Sequence, residues 1–238
     1  MIEKRFNDLY NRAFEKHCNT FSEFLNLDEQ SVLEGSYLPC VKFGGYDMAE
    51  RIVAGFGEDI CKEDFPISIL KIEPVNQKFA DKLTHRDFLG SLMNLGIKRE
   101  MLGDILILDN VGYLFCLEQI KDYIIDSLDR IKHTTVKASE ISSLPEIALV
   151  KPEPSEILVS STRLDVVISG IYKLSRSEAS RLFFGGKVFV NSRLCENTSY
   201  MLKDNDLISV RGFGRFEYLG QVRKTKKDRL VVQVLIYK

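Results

Sequence analysis

The sequence predicts an α+β protein in three parts, and three observations carry that expectation. Apolar residues recur at helical spacing at the N-terminus. The middle reads strand, helix, strand, strand, helix, strand, and residues 161–191, STRLDVVISGIYKLSRSEASRLFFGGKVFVN, hold two short capped helices and a strand. At 238 residues the chain exceeds one ordinary compact domain. The expected division is a small mixed N-terminal domain at 1–74, a central domain at 75–157 and a basic C-terminal domain at 158–238.

In the first part, Ile2, Phe6, Leu9, Ala13 and Phe14 mark one face of a helix. Phe21, Phe24 and Leu25 suggest a second short helix, and Asp28 caps a third running through Val32 and Leu33. VKFGG and RIVAGF, separated by residues 44–49, read as a hairpin. No chemistry is legible in this part.

ISILKIE, between Pro66 and Pro74, is a strand passing from the first part into the second. Thr84 with Asp87 makes a capping-box variant for a helix over 85–95, with Phe88, Leu89, Leu92, Met93 and Leu95 on its apolar face and Gly96 as its stop. DILILD and GYLFCLE are strands around Asn110 and Gly112. Leu117, Ile120, Ile124 and Leu128 line a further helix, and a last strand runs near 133–136. That order predicts a ferredoxin-like sandwich, one of several folds that nucleic-acid modules adopt. LPEIALVKPEPSE holds three of the six prolines and reads as a joint.

In the third part, Thr162 with Asp165 caps a helix striped by Leu164, Val167, Ile168 and Ile171. Ser175 with Glu178 caps a second, striped by Ala179, Leu182 and Phe183. Gly185 and Gly186 end it, and KVFVN points Val188 and Val190 inward with Lys187, Phe189 and Asn191 outward. Residues 216–222 and 230–237 form a closing hairpin around a basic turn.

Charge is unevenly divided. Residues 160–238 carry 15 Lys+Arg against 7 Asp+Glu, whereas residues 1–159 carry 18 against 27, so the net charge of -1 conceals a basic end that suits a phosphate-rich partner. No run of eighteen apolar residues and no apolar signal core occur, which points to a cytoplasmic protein without a membrane partner. The five cysteines and three histidines are scattered, with no C-x-x-C pair, so neither a disulfide framework nor a metal site is expected, and no cofactor is implied.

Helix starts offer free N–H groups to phosphate, and arginine adds forked donors. The candidate RNA contacts are therefore Arg163 and Arg176 at helix starts, Lys173 in the turn between the helices, and Lys187 and Asn191 on the following strand. Arg193 joins them, with Arg211 and Arg215 interleaved with Phe213 and Phe216, which could stack on bases. Arg181 ranks lower, about 140° around the helix from Arg176. In the basic turn, Arg223, Lys224, Lys226, Lys227 and Arg229 could grip backbone phosphate.

Several patterns resemble catalytic motifs without completing them. His85-Arg86-Asp87 lacks the asparagine that a kinase catalytic loop places five residues later, where Leu92 stands here. GGKV lacks the spaced first glycine and the Ser/Thr of a phosphate-binding loop. RLDVVISG is similar to the aspartate motif of pseudouridine synthases, but Ile168 stands where those enzymes have threonine. Asp165 is read as a helix cap, and no catalytic residue is assigned. GYLFC faintly resembles the aromatic strand of RNA-recognition motifs but lacks its basic residue, and core strand is the reading.

Arg163-Leu164-Asp165, Ser175-Arg176 and Gly186-Lys187-Val188-Phe189-Val190-Asn191 resemble the alpha-L RNA-binding motif of ribosomal small-subunit protein four, with Ser192 where glycine is common. With His85 to Gly90, Leu95 to Arg99 and Gly103-Asp104-Ile105, the stretch 37–238 resembles the YlmH family of bacterial cytosolic RNA-binding proteins. That resemblance implies a central RNA-recognition-like domain and a C-terminal alpha-L domain. It also implies a ribosome-associated role on large subunits holding peptidyl-tRNA, in rescue or quality control. The alternatives are an RNA-modifying enzyme using Asp165, and an adaptor that engages a protein through residues 1–157.

Overall fold

The computed structural model describes residues 2–146 and 152–237, which form two compact units. The first holds residues 2–29 and 36–146; the second holds residues 30–35 and 152–237. The architecture is α+β, as expected. Part of the proline-rich joint, residues 147–151, lies outside the described residues. No described helix is long and apolar enough to cross a membrane.

The chain opens with α1 (Ile2–Lys16), whose Phe6 and Ala13 are buried, followed by β1 (Thr20–Phe21) and α2 (Leu27–Ser36), of which residues 30–35 belong to the second unit. The helix expected around Phe21 to Leu25 is absent. That segment is extended, because Phe24 N donates to Glu100 O (2.9 Å) and Leu25 N to Ile52 O (2.7 Å), long-range bonds that outweigh local spacing. Asn26, not Asp28, caps α2; its side chain accepts from Asp28 N and Glu29 N. β2 (Val41–Phe43) and β3 (Val53–Phe56) pair antiparallel as the hairpin reading requires, and β1 joins on the other side of β3.

β4 (Ile67–Pro74) begins the second sheet, followed by α3 (His85–Asn94), β5 (Leu102–Leu108), β6 (Val111–Leu117), α4 (Lys121–Ser127), β7 (Arg130–Ile131) and β8 (Thr134–Ile141). The strand order β5-β6-β4-β8-β7 is the antiparallel ferredoxin-like arrangement, extended by the short β7. β4 sits between β6 and β8, so an N-terminal domain ending at residue 74 would detach the central strand of this sheet. Thr84 and Asp87 form the capping box of α3, with Thr84 N 2.8 Å from the Asp87 carboxylate. Gly112 lets the ring of Phe88 lie on β6; a Cβ there would stand 2.4 Å from Phe88 Cε1.

Both faces of this sheet are covered. Leu70, Ile72, Leu114 and Cys116 pack under α3 and α4 with Phe88, Leu92 and Ile124. On the other face Tyr113, Phe115 and Leu117 pack with Phe24, Val53 and Phe65. Asp104 pins the connecting loop there, accepting from Tyr46 Oη (2.9 Å), Glu50 N (2.6 Å) and Arg51 N (3.1 Å). The buried Arg51 guanidinium donates to Leu102 O (2.9 Å) and Phe24 O (2.8 Å), and burial lowers its pKa.

The second unit is a six-stranded sheet, order β11-β10-β12-β13-β14-β9, with two helices on one face. In chain order these are β9 (Ser155–Val159), α5 (Leu164–Tyr172), α6 (Arg176–Phe184), β10 (Val188–Val190), β11 (Arg193–Leu194), β12 (Asp206–Val210), β13 (Gly214–Lys224) and β14 (Leu230–Tyr237). A boundary at 157/158 would cut β9 in two; Ser155 to Val159 pair with β14 as one strand. Leu164, Val167, Ile168, Ala179, Leu182 and Phe183 meet Val188, Val190, Ile208 and Phe216 in its core. Fully burying each such side chain contributes roughly 1.5–3 kcal/mol, so this core rather than helix propensity holds two nine-residue helices in place.

Candidate nucleic-acid interface

The site is built on α6 and its flanks. Ser175 caps α6 through a capping box: its hydroxyl accepts from Glu178 N (3.3 Å), while Ser175 N donates to the Glu178 carboxylate (2.8 Å). The Ser175 hydroxyl and amide hold that carboxyl below its usual range, with Arg181 adding to the effect. Ala179, Leu182 and Phe183 face the core, so Ser177, Arg181 and Phe184, at four- and three-residue spacing, fall on the opposite side.

The cations gather around this helix. Lys173 ends α5 in the left-handed region (φ 56°) and points into solvent, and Arg176 is the first residue of α6. Lys187 is exposed just beyond Gly185 and Gly186, where its carbonyl accepts from Arg211 N (2.9 Å). Among the described residues, none of the Lys173, Arg176 and Lys187 side chains has a carboxylate or hydrogen-bond partner. Arg181 shares the exposed α6 face, which gives it a better position than its angle from Arg176 suggests.

Four expectations change. Arg163 is itself the N-cap residue of α5, and Thr162 with Asp165 does not cap it: Asp165 accepts from Val166 N and forms a two-pronged pair with Arg163 (3.0 and 2.8 Å). That pairing raises the Arg163 pKa and leaves its guanidinium fixed and partly neutralised. Asn191 is used internally, since Nδ2 donates to Asp206 Oδ1 (2.9 Å) and Oδ1 accepts from Leu207 N (2.9 Å). Phe189 is not outward but fully buried, with the Arg211 guanidinium 4.9 Å from its ring centre. Phe216 is a core residue and cannot stack on a base; Phe213 is 43% exposed and leans on Tyr172 (5.3 Å).

Arg193 is exposed on the edge strand β11, and Arg215 is half-buried on β13 opposite Tyr237. In the basic turn, Arg223 is taken by Glu156 through two 2.7 Å contacts. Lys224, Lys226, Lys227 and Arg229 remain exposed. One residue escaped the sequence reading. Phe184 is 84% exposed on the α6 face that carries Arg181, and an apolar residue on the solvent side of a short amphipathic helix was its signal.

A ferredoxin-like domain followed by two helices on a sheet with a cation-rich helix end defines a protein of the S4-domain class. Residues 162–208 match the family model described as "S4 domain", and residues 61–144 match "Putative RNA-binding domain in YlmH". The chain is 33% identical over 224 residues, 90% of its length, to the "Ribosome-associated protein quality control protein P2" of Bacillus subtilis (strain 168), covering 86% of that protein. It belongs to the YlmH family. A solved structure titled "Cell division protein ylmH from Streptococcus pneumoniae" is 24% identical, with a TM-score of 0.47 over 59% of this chain and 88% of that one.

Proposed function

We propose that this protein is a non-enzymatic RNA-binding factor of the cytoplasm that docks on structured ribosomal RNA through its C-terminal unit. It acts on large ribosomal subunits that hold peptidyl-tRNA, in rescue or quality control of stalled translation. The observation that carries the reading is the set of exposed cations without carboxylate partners, Lys173, Arg176 and Lys187, around one helix of an S4-type unit. Lysine and arginine there meet phosphate oxygens without first breaking an internal ion pair. The name of the Bacillus subtilis relative, which speaks of ribosome association and quality control, supports the same reading.

Five to eight phosphate contacts make affinity fall by roughly two to four decades between about 50 and 200 mM salt. The test is co-sedimentation with ribosomal subunits from cells in which translation has been stalled. The wild type is expected with the large subunit and with peptidyl-tRNA, and the combined Lys173→Ala, Arg176→Ala and Lys187→Ala variant in the free fraction. Unchanged co-sedimentation of that variant sinks the proposal.

A further inference from the structure

The sheet face on which an RNA-recognition domain usually lays its ligand is closed in the first unit. Tyr113 and Phe115 of β6 are 6% and 0% exposed, packed against Phe24, Val53 and Phe65, and Tyr46 stacks on Phe115 at 4.9 Å. Any nucleic acid that meets this unit must use another surface.

One end of the same domain has the required chemistry. The segment after β4 and the β7–β8 hairpin are tied together: Val75 N donates to Thr135 O (3.0 Å), Asp81 N to Thr134 Oγ1 (2.9 Å) and His133 N to Asp81 Oδ2 (3.4 Å). Asn110 braces the assembly, donating to Asp81 O (2.8 Å) and accepting from Leu83 N (2.7 Å). From this rigid base Phe79 stands 79% exposed and Val75 67% exposed, with the Lys78 ammonium 5.8 Å from the Phe79 ring centre.

Further cations lie on the same two tied segments. Lys78, Lys82, Arg130, Lys132 and Lys137 are all exposed. Lys132 pairs with Asp87 (2.7 Å) and Lys137 lies across from Glu73, but Lys78, Lys82 and Arg130 have no carboxylate partner among the described residues. The concentration is local, because residues 1–159 as a whole carry 18 Lys+Arg against 27 Asp+Glu. An exposed ring with one ammonium near it and further unpaired cations on the joined segments suits a stacked, unpaired base with its phosphates nearby. An acidic protein segment would use the cations and leave the ring without a partner.

We propose that this end of the ferredoxin-like domain is a second binding site, for single-stranded RNA, with Phe79 stacking on a base and Lys78, Lys82 and Arg130 holding phosphates. The site goes beyond the C-terminal interface, and its test is arranged to tell the two apart. The full chain carrying Arg176→Ala and Lys187→Ala is crosslinked to a 4-thiouridine-containing single-stranded oligonucleotide, and the crosslinked peptides are mapped. Crosslinks are expected within 75–83 and 130–137. In fluorescence anisotropy, Lys78→Glu, Lys82→Glu and Arg130→Glu together are expected to lower affinity at least tenfold and to reduce the log–log salt slope by about 2.

Phe79→Ala is expected to lower affinity roughly fivefold or more with the slope unchanged, and Phe79→Tyr to preserve it. Crosslinks confined to the second unit, or unchanged affinity of the charge-reversal variant, would each overturn the proposal. The ribosome co-sedimentation result would stand in either of those cases.

Discussion

Asn191 and Asp206 close the second unit against itself. Asn191 Nδ2 donates to one Asp206 oxygen at 2.9 Å, while the other accepts from Tyr200 Oη (3.0 Å) and Lys203 N (2.8 Å). Asp206 is only 4% exposed, so each of these donors answers a carboxylate that water does not reach. Asn191→Ala removes two hydrogen bonds and places alanine at φ 49°, and the expected cost is about 2 kcal/mol of stability. Ribosome co-sedimentation at a temperature where the variant remains folded should match wild type. A folded variant that has lost association would return Asn191 to the RNA-contacting set.

Ser192 follows in the same turn at φ 65°, a conformation that glycine adopts without strain. Ser192→Gly is expected to stabilise the protein by about 0.5–1 kcal/mol, the relief of left-handed strain less the added freedom of the unfolded chain. A thermal melt should show a rise of roughly 1–4 °C.

Phe184 gives the proposed RNA surface its sharpest single-residue test. The ring is 84% exposed and adds little to the core, so Phe184→Ala should leave the melting temperature within about 1 °C of wild type while weakening ribosome association about fivefold or more. Phe184→Tyr should retain it. Titration against purified subunits measures both.

Asp87 makes acid stability a local property of the first unit. The Lys132 ammonium and the Thr84 hydroxyl hold its carboxyl down to about 2, whereas the unfolded chain titrates near 3.8. A depressed folded-state pKa contributes stability that is present above about pH 4 and lost as pH falls through 2. Stability measured across that window should fall less steeply in Asp87→Asn than in wild type, and parallel curves would contradict it.

Local chemistry was readable and long-range chemistry was not. The capping boxes at Thr84/Asp87 and Ser175/Glu178 are four-residue patterns, and the helices begin at both. The ferredoxin-like order followed from periodicity alone because each strand and helix announces itself within ten residues or so. Phe24, Phe189 and Asn191 answer to partners far along the chain: Glu100, Arg211 and Asp206. Outward or inward alternation cannot reveal that Phe189 has a guanidinium above it. The Arg163–Asp165 pair is only two residues apart, yet a helix cap and an ion pair look alike in sequence. The cationic end of the central domain was missed because its two segments, near 78 and 130, meet only once the β4–β8 pairing forms.

The order of the second sheet also sets a timetable. Among the described residues, β9 is held to the sheet only along β14, where Val159 meets Leu230 and Ser155 meets Val234. During synthesis, β9 leaves the ribosome well before β14, the strand it pairs with. It must wait as an unpaired strand, and its pairing comes in a late, non-local step. Nascent chains lacking Leu230 to Tyr237 should therefore stay protease-sensitive over Ser155–Val159, the strand left without its partner.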